Sequence, residues 1–147
     1  MTRLLFVCMG NICRSPSAEA VMRHLVAGAG LQDAIEVDSA GTGGWHAGAR
    51  PDRRASAAAR SRGIVLDGAA RQVTARDFHD FDLLLAMDED NLRDLLALAP
   101  SGTEHKVRKL AAVDVPDPYY GGELGFETVL DIVTEACSDL LDELRQT

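Results

Sequence analysis

Short apolar or alternating runs are separated by longer amphipathic stretches along this chain of 147 residues. Each run has the length and the character of a strand within a sheet. The runs lie at residues 4–7, 35–38, 81–87 and, in a shorter and more charged form, 106–110. The pattern therefore predicts about four strands.

The stretches after these runs predict helices. In three of them, apolar residues recur at helical spacing, at 18–26, 92–96 and 126–144. A fourth stretch, 51–62, is rich in alanine, and Gly63 is a suitable end for it. Strands that alternate with helices predict one α/β domain over residues 1–147, an open, doubly wound parallel sheet with helices on both faces.

The loop after the first run is suited to bind an anion. Gly10 and Asn11 tolerate positive φ angles, so successive backbone N–H groups can turn toward one point. Ser15 and Pro16 suit the N-cap and the first position of a helix whose positive dipole end faces the same point. Arg14 adds a planar fork for two phosphate oxygens. The stretch predicts a phosphate site.

Cys8 lies at the mouth of this positive field. A thiol at a helix N-terminus beside a cation titrates at roughly 3.5–7.5, well below the usual value of about 8.5. We therefore expect Cys8 to be a thiolate at neutral pH and able to attack phosphorus.

Composition and charge narrow the function. The net charge of −8 disfavours a broad nucleic-acid or anionic-membrane surface, so an anionic substrate needs a local positive pocket. No leader or membrane-spanning stretch is recognisable, and we expect a cytoplasmic chain with reduced thiols, monomeric or weakly self-associating. The cysteines and histidines lack metal-ligand spacing, so neither a metal nor another cofactor is expected.

Residues 50–62 form the most basic part of the chain. A solvated helix face is the favoured interpretation of these arginines. The alternative is that Arg50 and Arg53 attract acidic phosphopeptides, because they follow a glycine-rich segment with a single tryptophan, Trp45. From the residues alone, Trp45 fits a ring on the edge of the core as well as the wall of a substrate pocket.

Asp117 is a candidate acid between Pro116 and Pro118. The residues alone favour an ordinary turn. The proline rings would nevertheless aim the carboxyl group, and a nearby thiolate and phosphate would favour its protonated form.

The string at residues 7–16, Val-Cys-Met-Gly-Asn-Ile-Cys-Arg-Ser-Pro, resembles the signature loop of the low-molecular-weight protein tyrosine phosphatases. Residues 38–40 with Trp45, and residues 117–120, are similar to further segments of that family, so the resemblance covers essentially the whole chain. It implies a flavodoxin-like fold and metal-independent hydrolysis of protein phosphotyrosine and aryl phosphates through a phosphocysteine.

The resemblance also implies roles for single residues. Cys8 is the nucleophile, Arg14 holds the phosphoryl oxygens and Asp117 protonates the leaving group. The residues expected to bind the phosphate or the substrate ring are Met9, Gly10, Asn11, Ile12, Cys13, Ser15, Trp45, Tyr119 and Tyr120.

Two supporting residues follow from the same resemblance. Ser39 is implied to brace Asn11, and Asp88 to orient Arg14, although its position before a helix already explains Asp88 as an N-cap. Ile12 stands where relatives that act on phosphoarginine have threonine, which favours phosphotyrosine.

Two cysteines leave alternatives open. In the family, the pair that matches Cys8 and Cys13 forms a reversible disulfide under peroxide, whereas Cys13 could also simply pack behind the loop.

The alternative activities are a protein arginine phosphatase, an arsenate reductase of the same fold or a non-catalytic phosphate-binding module. Thioredoxin-coupled arsenate reductases need further cysteines, and none lies between Cys13 and Cys137.

Overall fold

The computed structural model describes residues 1–118 and 123–146. In this part of the chain, four parallel strands form one sheet in the order β2-β1-β3-β4. The strands are β1 (Thr2–Cys8), β2 (Ile35–Gly41), β3 (Leu83–Ala86) and β4 (Val107–Lys109). The predicted parallel α/β sheet is confirmed.

The described helices flank this sheet. They are α1 (Arg14–Gly28), α2 (Arg53–Arg60), α3 (Asp77–Asp80), α4 (Glu89–Leu98), a 3-10 turn (Glu104–Lys106) and α5 (Glu123–Arg145). None of them combines the length and the apolar character needed to cross a bilayer.

The central strand β1 is apolar on both sides because each of its faces meets a core. Leu4 and Phe6 pack in the cluster that includes residues of α1 and α5. Leu5 and Val7 point to the opposite face and pack in the cluster that includes Phe78. A strand covered on both faces has no need of polar alternation, which explains the run at 4–7.

The order of the strands places a crevice at the end of β1. The chain leaves β1 toward β2 on one side, and later returns to place β3 on the other side. Loops that diverge from such a switch point leave room for a ligand beyond the carboxyl ends of the strands. Cys8, the last residue of β1, pairs with Gly41, and Val7 pairs with Ala86. The segments after β1, β2 and β3 therefore meet beside Cys8.

The predicted N-cap role of Ser15 is wrong. Helix α1 begins at Arg14, with Cys13 as N-cap and no capping bond from a side chain. The Ser15 hydroxyl instead lies 3.0 Å from Cys8 Sγ. The tertiary contact with the end of β1 replaces the local capping bond.

Candidate active site

The sulfur of Cys8 is buried and faces two hydrogen-bond donors. The residue is 3% exposed at the end of β1. The backbone N–H of Asn11 donates to Sγ at 3.2 Å, and the Ser15 hydroxyl lies 3.0 Å from Sγ. Donors of this kind stabilise a negative sulfur more than a neutral one.

Asn11 holds the loop in its unusual shape. It has a φ of +57°, the left-handed region that asparagine tolerates better than most residues. Its Nδ2 donates to Ser15 Oγ at 2.9 Å and to Ser39 Oγ at 3.0 Å. Its Oδ1 accepts from the backbone N–H of Arg71 at 2.9 Å. Both ends of the amide are occupied, so the left-handed turn is fixed by tertiary contacts.

Glu19 sets the direction of the protons in this network. Ser39 Oγ donates to Glu19 Oε1 at 2.6 Å, because a carboxylate can only accept. The Ser39 oxygen is then left to accept from Asn11, and Asn11 also donates to Ser15. The proton of Ser15 is therefore free to point at Cys8 Sγ, so Ser15 is the donor in that contact.

Arg14 is buried beside the sulfur and held from one side. It is 3% exposed, and its Nη1 donates to Asp88 Oδ2 at 2.6 Å and to the Val115 carbonyl at 3.0 Å. Nη2 lies 3.7 Å from Asp117 Oδ2. Burial opposes the charge, but Cys8 and the two carboxylates raise the pKa of Arg14 above its ordinary value. Arg14 is permanently cationic here.

Asp88 has two partners at once. Its Oδ1 accepts from the backbone N–H of Asn91 at 2.8 Å, so the predicted N-cap of α4 is confirmed. Its Oδ2 accepts from Arg14. The contact that the resemblance implied between Asp88 and Arg14 is present, and so is the one between Ser39 and Asn11.

These groups surround a cavity of about 60 Å³. It is lined by Cys8, Met9, Gly10, Ile12, Cys13, Arg14, Trp45, His46 and Asp117. A depression of about 580 Å³ between β4 and α5 is larger, but neither Cys8 nor Arg14 lines it. Convergent reactive groups, rather than size, mark the site. Among residues 1–118 and 123–146, no cluster of His, Cys, Asp or Glu is placed to hold a metal ion.

Comparison with known proteins shows what family has this site. A family model described as low molecular weight phosphotyrosine protein phosphatase matches residues 3–147. The chain belongs to that family. A low molecular weight protein-tyrosine-phosphatase of Streptomyces coelicolor is 48% identical to this phosphatase over 98% of this chain and 94% of the relative.

Solved structures of phosphatases share the fold. A protein tyrosine phosphatase from Entamoeba histolytica, with Hepes in its active site, has a TM-score of 0.97 and 42% identity, covering 99% of this chain and 98% of that one. The Drosophila arginine phosphatase has a TM-score of 0.90 and 36% identity, covering 98% of each chain. The predicted membership of the phosphatase family is confirmed.

The structure assembles most of the residues predicted for the phosphatase site. Trp45 lines the cavity and is 67% exposed, so its ring does not lie in the core. A Cβ on Gly43 would lie 1.9 Å from Trp45 Cζ3, which shows that the indole lies directly against this glycine. Tyr119 and Tyr120 lie outside the described residues, and their expected contact with the substrate ring stays a prediction.

Gly10 does not adopt the positive φ angle expected from its residue type, and its contact with the phosphate stays a prediction. In this loop, Asn11 is the only described residue with a positive φ angle. A Cβ on Gly10 would instead come within 2.9 Å of His46 Cδ2. The glycine allows His46 to lie close over the loop of the phosphatase.

Three residues of the site were missed by reasoning from the sequence. Glu19 follows Ser15 by four positions on α1, and this spacing was a usable signal because it places both on one helix face. His46 follows Trp45 in the same loop, but nothing in the residues showed that it covers Gly10. Arg71 acts through its backbone N–H, which almost any residue supplies.

Proposed function

We propose that this phosphatase hydrolyses protein phosphotyrosine through a phosphocysteine on Cys8. The observation that supports this most is the position of Cys8 Sγ, which faces donors from Asn11 and Ser15 and lies in one small cavity with Arg14 and Asp117. This arrangement suits an anionic nucleophile, a transition state that carries much negative charge, and a proton donor.

In the first step, the sulfur of Cys8 forms a bond to phosphorus while the bond from phosphorus to the leaving oxygen breaks. Asp117 gives its proton to that oxygen. Arg14 and the backbone N–H groups of the loop hold the equatorial oxygens. The anchors of Arg14 at Asp88 and Val115 leave its Nη2 edge, next to Asp117, directed toward the cavity.

In the second step, water attacks phosphorus and passes a proton to the Asp117 carboxylate as the bond from sulfur to phosphorus breaks. Sulfur departs as a thiolate, which Ser15 and the Asn11 N–H stabilise. The side chain of Asp117 is 36% exposed, so it can exchange protons with solvent between turnovers.

The cavity supports phosphotyrosine as the substrate. Its small volume fits a phosphoryl group, and the exposed Trp45 stands at its mouth where an aromatic ring would follow. Ile12 in the lining also favours phosphotyrosine over phosphoarginine. The arginine phosphatase remains the second candidate because the Drosophila arginine phosphatase has the same fold.

The test is phosphate release from a phosphotyrosyl and a phosphoarginyl peptide in EDTA and dithiothreitol, with acid quenching during the first turnovers. We expect release from the tyrosyl peptide and one phosphoryl group on Cys8 in the mass spectrum of the quenched protein. Release from the arginyl peptide alone would support the second candidate. Arsenate reduction without phosphate release from either peptide would contradict both.

We further propose that peroxide switches the enzyme off through a Cys8–Cys13 disulfide, as the family resemblance implies. Peroxide converts Cys8 to a sulfenic acid, and the thiolate of Cys13 then displaces hydroxide to form the disulfide. Both residues line the same cavity. Burial, with the nearby charges of Asp52 and Cys8, raises the pKa of Cys13 to about 12. The thiolate of Cys13 is therefore scarce at neutral pH, and the disulfide should form faster as the pH rises.

Replacing Cys13 with serine is expected to make inactivation by peroxide irreversible, because no thiol then protects the sulfenic acid of Cys8. Wild-type activity should return in dithiothreitol, and more fully after exposure at pH 9 than at pH 7. Cys137→Ser is the matched control, since its sulfur is buried against α1, 3.8 Å from the Ala18 carbonyl. A wild-type enzyme that dithiothreitol cannot restore would contradict the switch.

We also propose a cytoplasmic enzyme that is monomeric or weakly self-associating. A thiol nucleophile requires a reducing compartment, which supports the location. Cell fractionation would test the location, and sedimentation would test the self-association.

A further inference from the structure

A depression of about 490 Å³ beside the phosphate loop has a charge opposite to that of the whole chain. Arg50, Arg53 and Arg60 line it together with small and apolar residues, namely Pro51, Ser56, Ala57, Val65 and Leu66. No acidic residue lines it in the described part of the chain. Arg50, Arg53 and Arg60 are therefore gathered around one concavity rather than dispersed over a solvated face.

These three arginines have no carboxylate partner within the described residues. The chain has a net charge of −8, and most of its other cations are paired. On the same segment, Arg62 contacts Glu127 at 2.7 Å and Arg54 contacts Asp52 at 3.3 Å. Arginines left unpaired in an acidic protein keep their full attraction for an external anion.

The depression is attached to the phosphate loop through Asp52, which lies between Pro51 and Arg53. The backbone N–H of Asp52 donates to the Ile12 carbonyl at 2.8 Å. Its carboxylate caps α2 by accepting from the N–H groups of Arg54 and Ala55 at 2.8 and 3.2 Å. A substrate held by its phosphate at Cys8 therefore meets the depression at a fixed position.

We propose that this depression binds acidic side chains that flank the phosphotyrosine in the protein substrate. The inference rests on the proposed function, because the phosphotyrosine itself is held at Cys8. Aspartate and glutamate carboxylates match the planar forks of Arg50, Arg53 and Arg60. Val65, which is 72% exposed, offers an apolar contact to the same peptide segment.

The test compares wild type with the triple variant Arg50→Ala, Arg53→Ala, Arg60→Ala on three substrates. These are a phosphotyrosyl peptide with aspartate and glutamate flanks, the same peptide with asparagine and glutamine flanks, and p-nitrophenyl phosphate. Wild type should prefer the acidic peptide. In the variant, that preference in kcat/KM should fall by about ten-fold, the scale expected of a few exposed ion pairs, and mainly through KM. The kcat/KM of the variant for the other two substrates should equal that of wild type.

The matched control is the triple variant Arg76→Ala, Arg93→Ala, Arg145→Ala, which removes the same charge from exposed sites outside the depression. It should keep the preference for the acidic peptide. Equal kcat/KM for the two peptides in wild type, or an equal loss of preference in the control variant, would show that the depression does not bind acidic side chains. Turnover of p-nitrophenyl phosphate would then still support the proposed function. Failure of wild type to hydrolyse even p-nitrophenyl phosphate would overturn the proposed function and the docking site with it.

Discussion

Replacing Cys8 with serine is expected to reduce turnover of phosphotyrosyl peptides and aryl phosphates by roughly 10⁴-fold or more, the scale on which an enzyme loses its nucleophile. The site offers donors to the atom at this position, from Asn11 and Ser15. Donors stabilise an anion that already exists, but they do not remove a proton from an alcohol. A serine hydroxyl would stay protonated and inert. Steady-state phosphate release measures the loss.

Binding separates this loss from a loss of fold. Serine is close to cysteine in shape, and Arg14 keeps its bonds to Asp88 and Val115. The variant should therefore still bind a phosphotyrosyl peptide in calorimetry and should unfold at about the wild-type temperature. The variant must be prepared free of contaminating wild-type enzyme. If its turnover is then within about a hundred-fold of wild type, Cys8 is not the nucleophile.

Replacing Asp117 with asparagine is expected to slow turnover of poor leaving groups by roughly 10²–10⁴-fold, the usual contribution of a positioned proton donor. An alkoxide or unsubstituted phenoxide needs that proton to leave. p-Nitrophenolate is stable without it, so its formation should be slowed far less. Phosphate release from a series of aryl phosphates measures the effect, and the variant should show a steeper dependence on the leaving group than wild type.

Asp114→Asn is the matched control for this prediction. Asp114 lies three positions earlier on the same loop but forms an ion pair with Lys109 at 2.7 Å. It does not line the cavity at Cys8. Its replacement should leave turnover unchanged for every leaving group. A uniform loss in Asp117→Asn across the whole series would assign Asp117 a positioning effect on Arg14 instead of proton donation.

The centre of this site could be predicted because its signals are local. A buried strand, a loop with Asn11 and a helix follow one another within residues 2–28, so the phosphate loop is recognisable without any tertiary contact. The cap at Asp88 was predictable for the same reason, since its partner Asn91 is three residues away.

The contacts that hold the phosphate loop in its conformation could not be predicted because they join distant segments. Asn11 is held by Ser39 and by the backbone of Arg71, which is 60 residues away in sequence. Ser15 looked like a helix cap because that role depends only on its neighbours, and the competing contact with Cys8 exists only in the folded chain. His46 likewise meets Gly10 only when the loop after β2 folds over the end of β1.

Asp88 makes two contacts at once, and together they limit which residues can replace it. Serine, threonine or asparagine could cap α4, but none of them brings the negative charge that faces Arg14. Glutamate would keep the charge, but it is a poor cap. A position that needs only a cap can accept several residues, whereas one that must also hold the phosphate-binding arginine favours aspartate. We therefore expect few substitutions to be tolerated at the N-cap of α4.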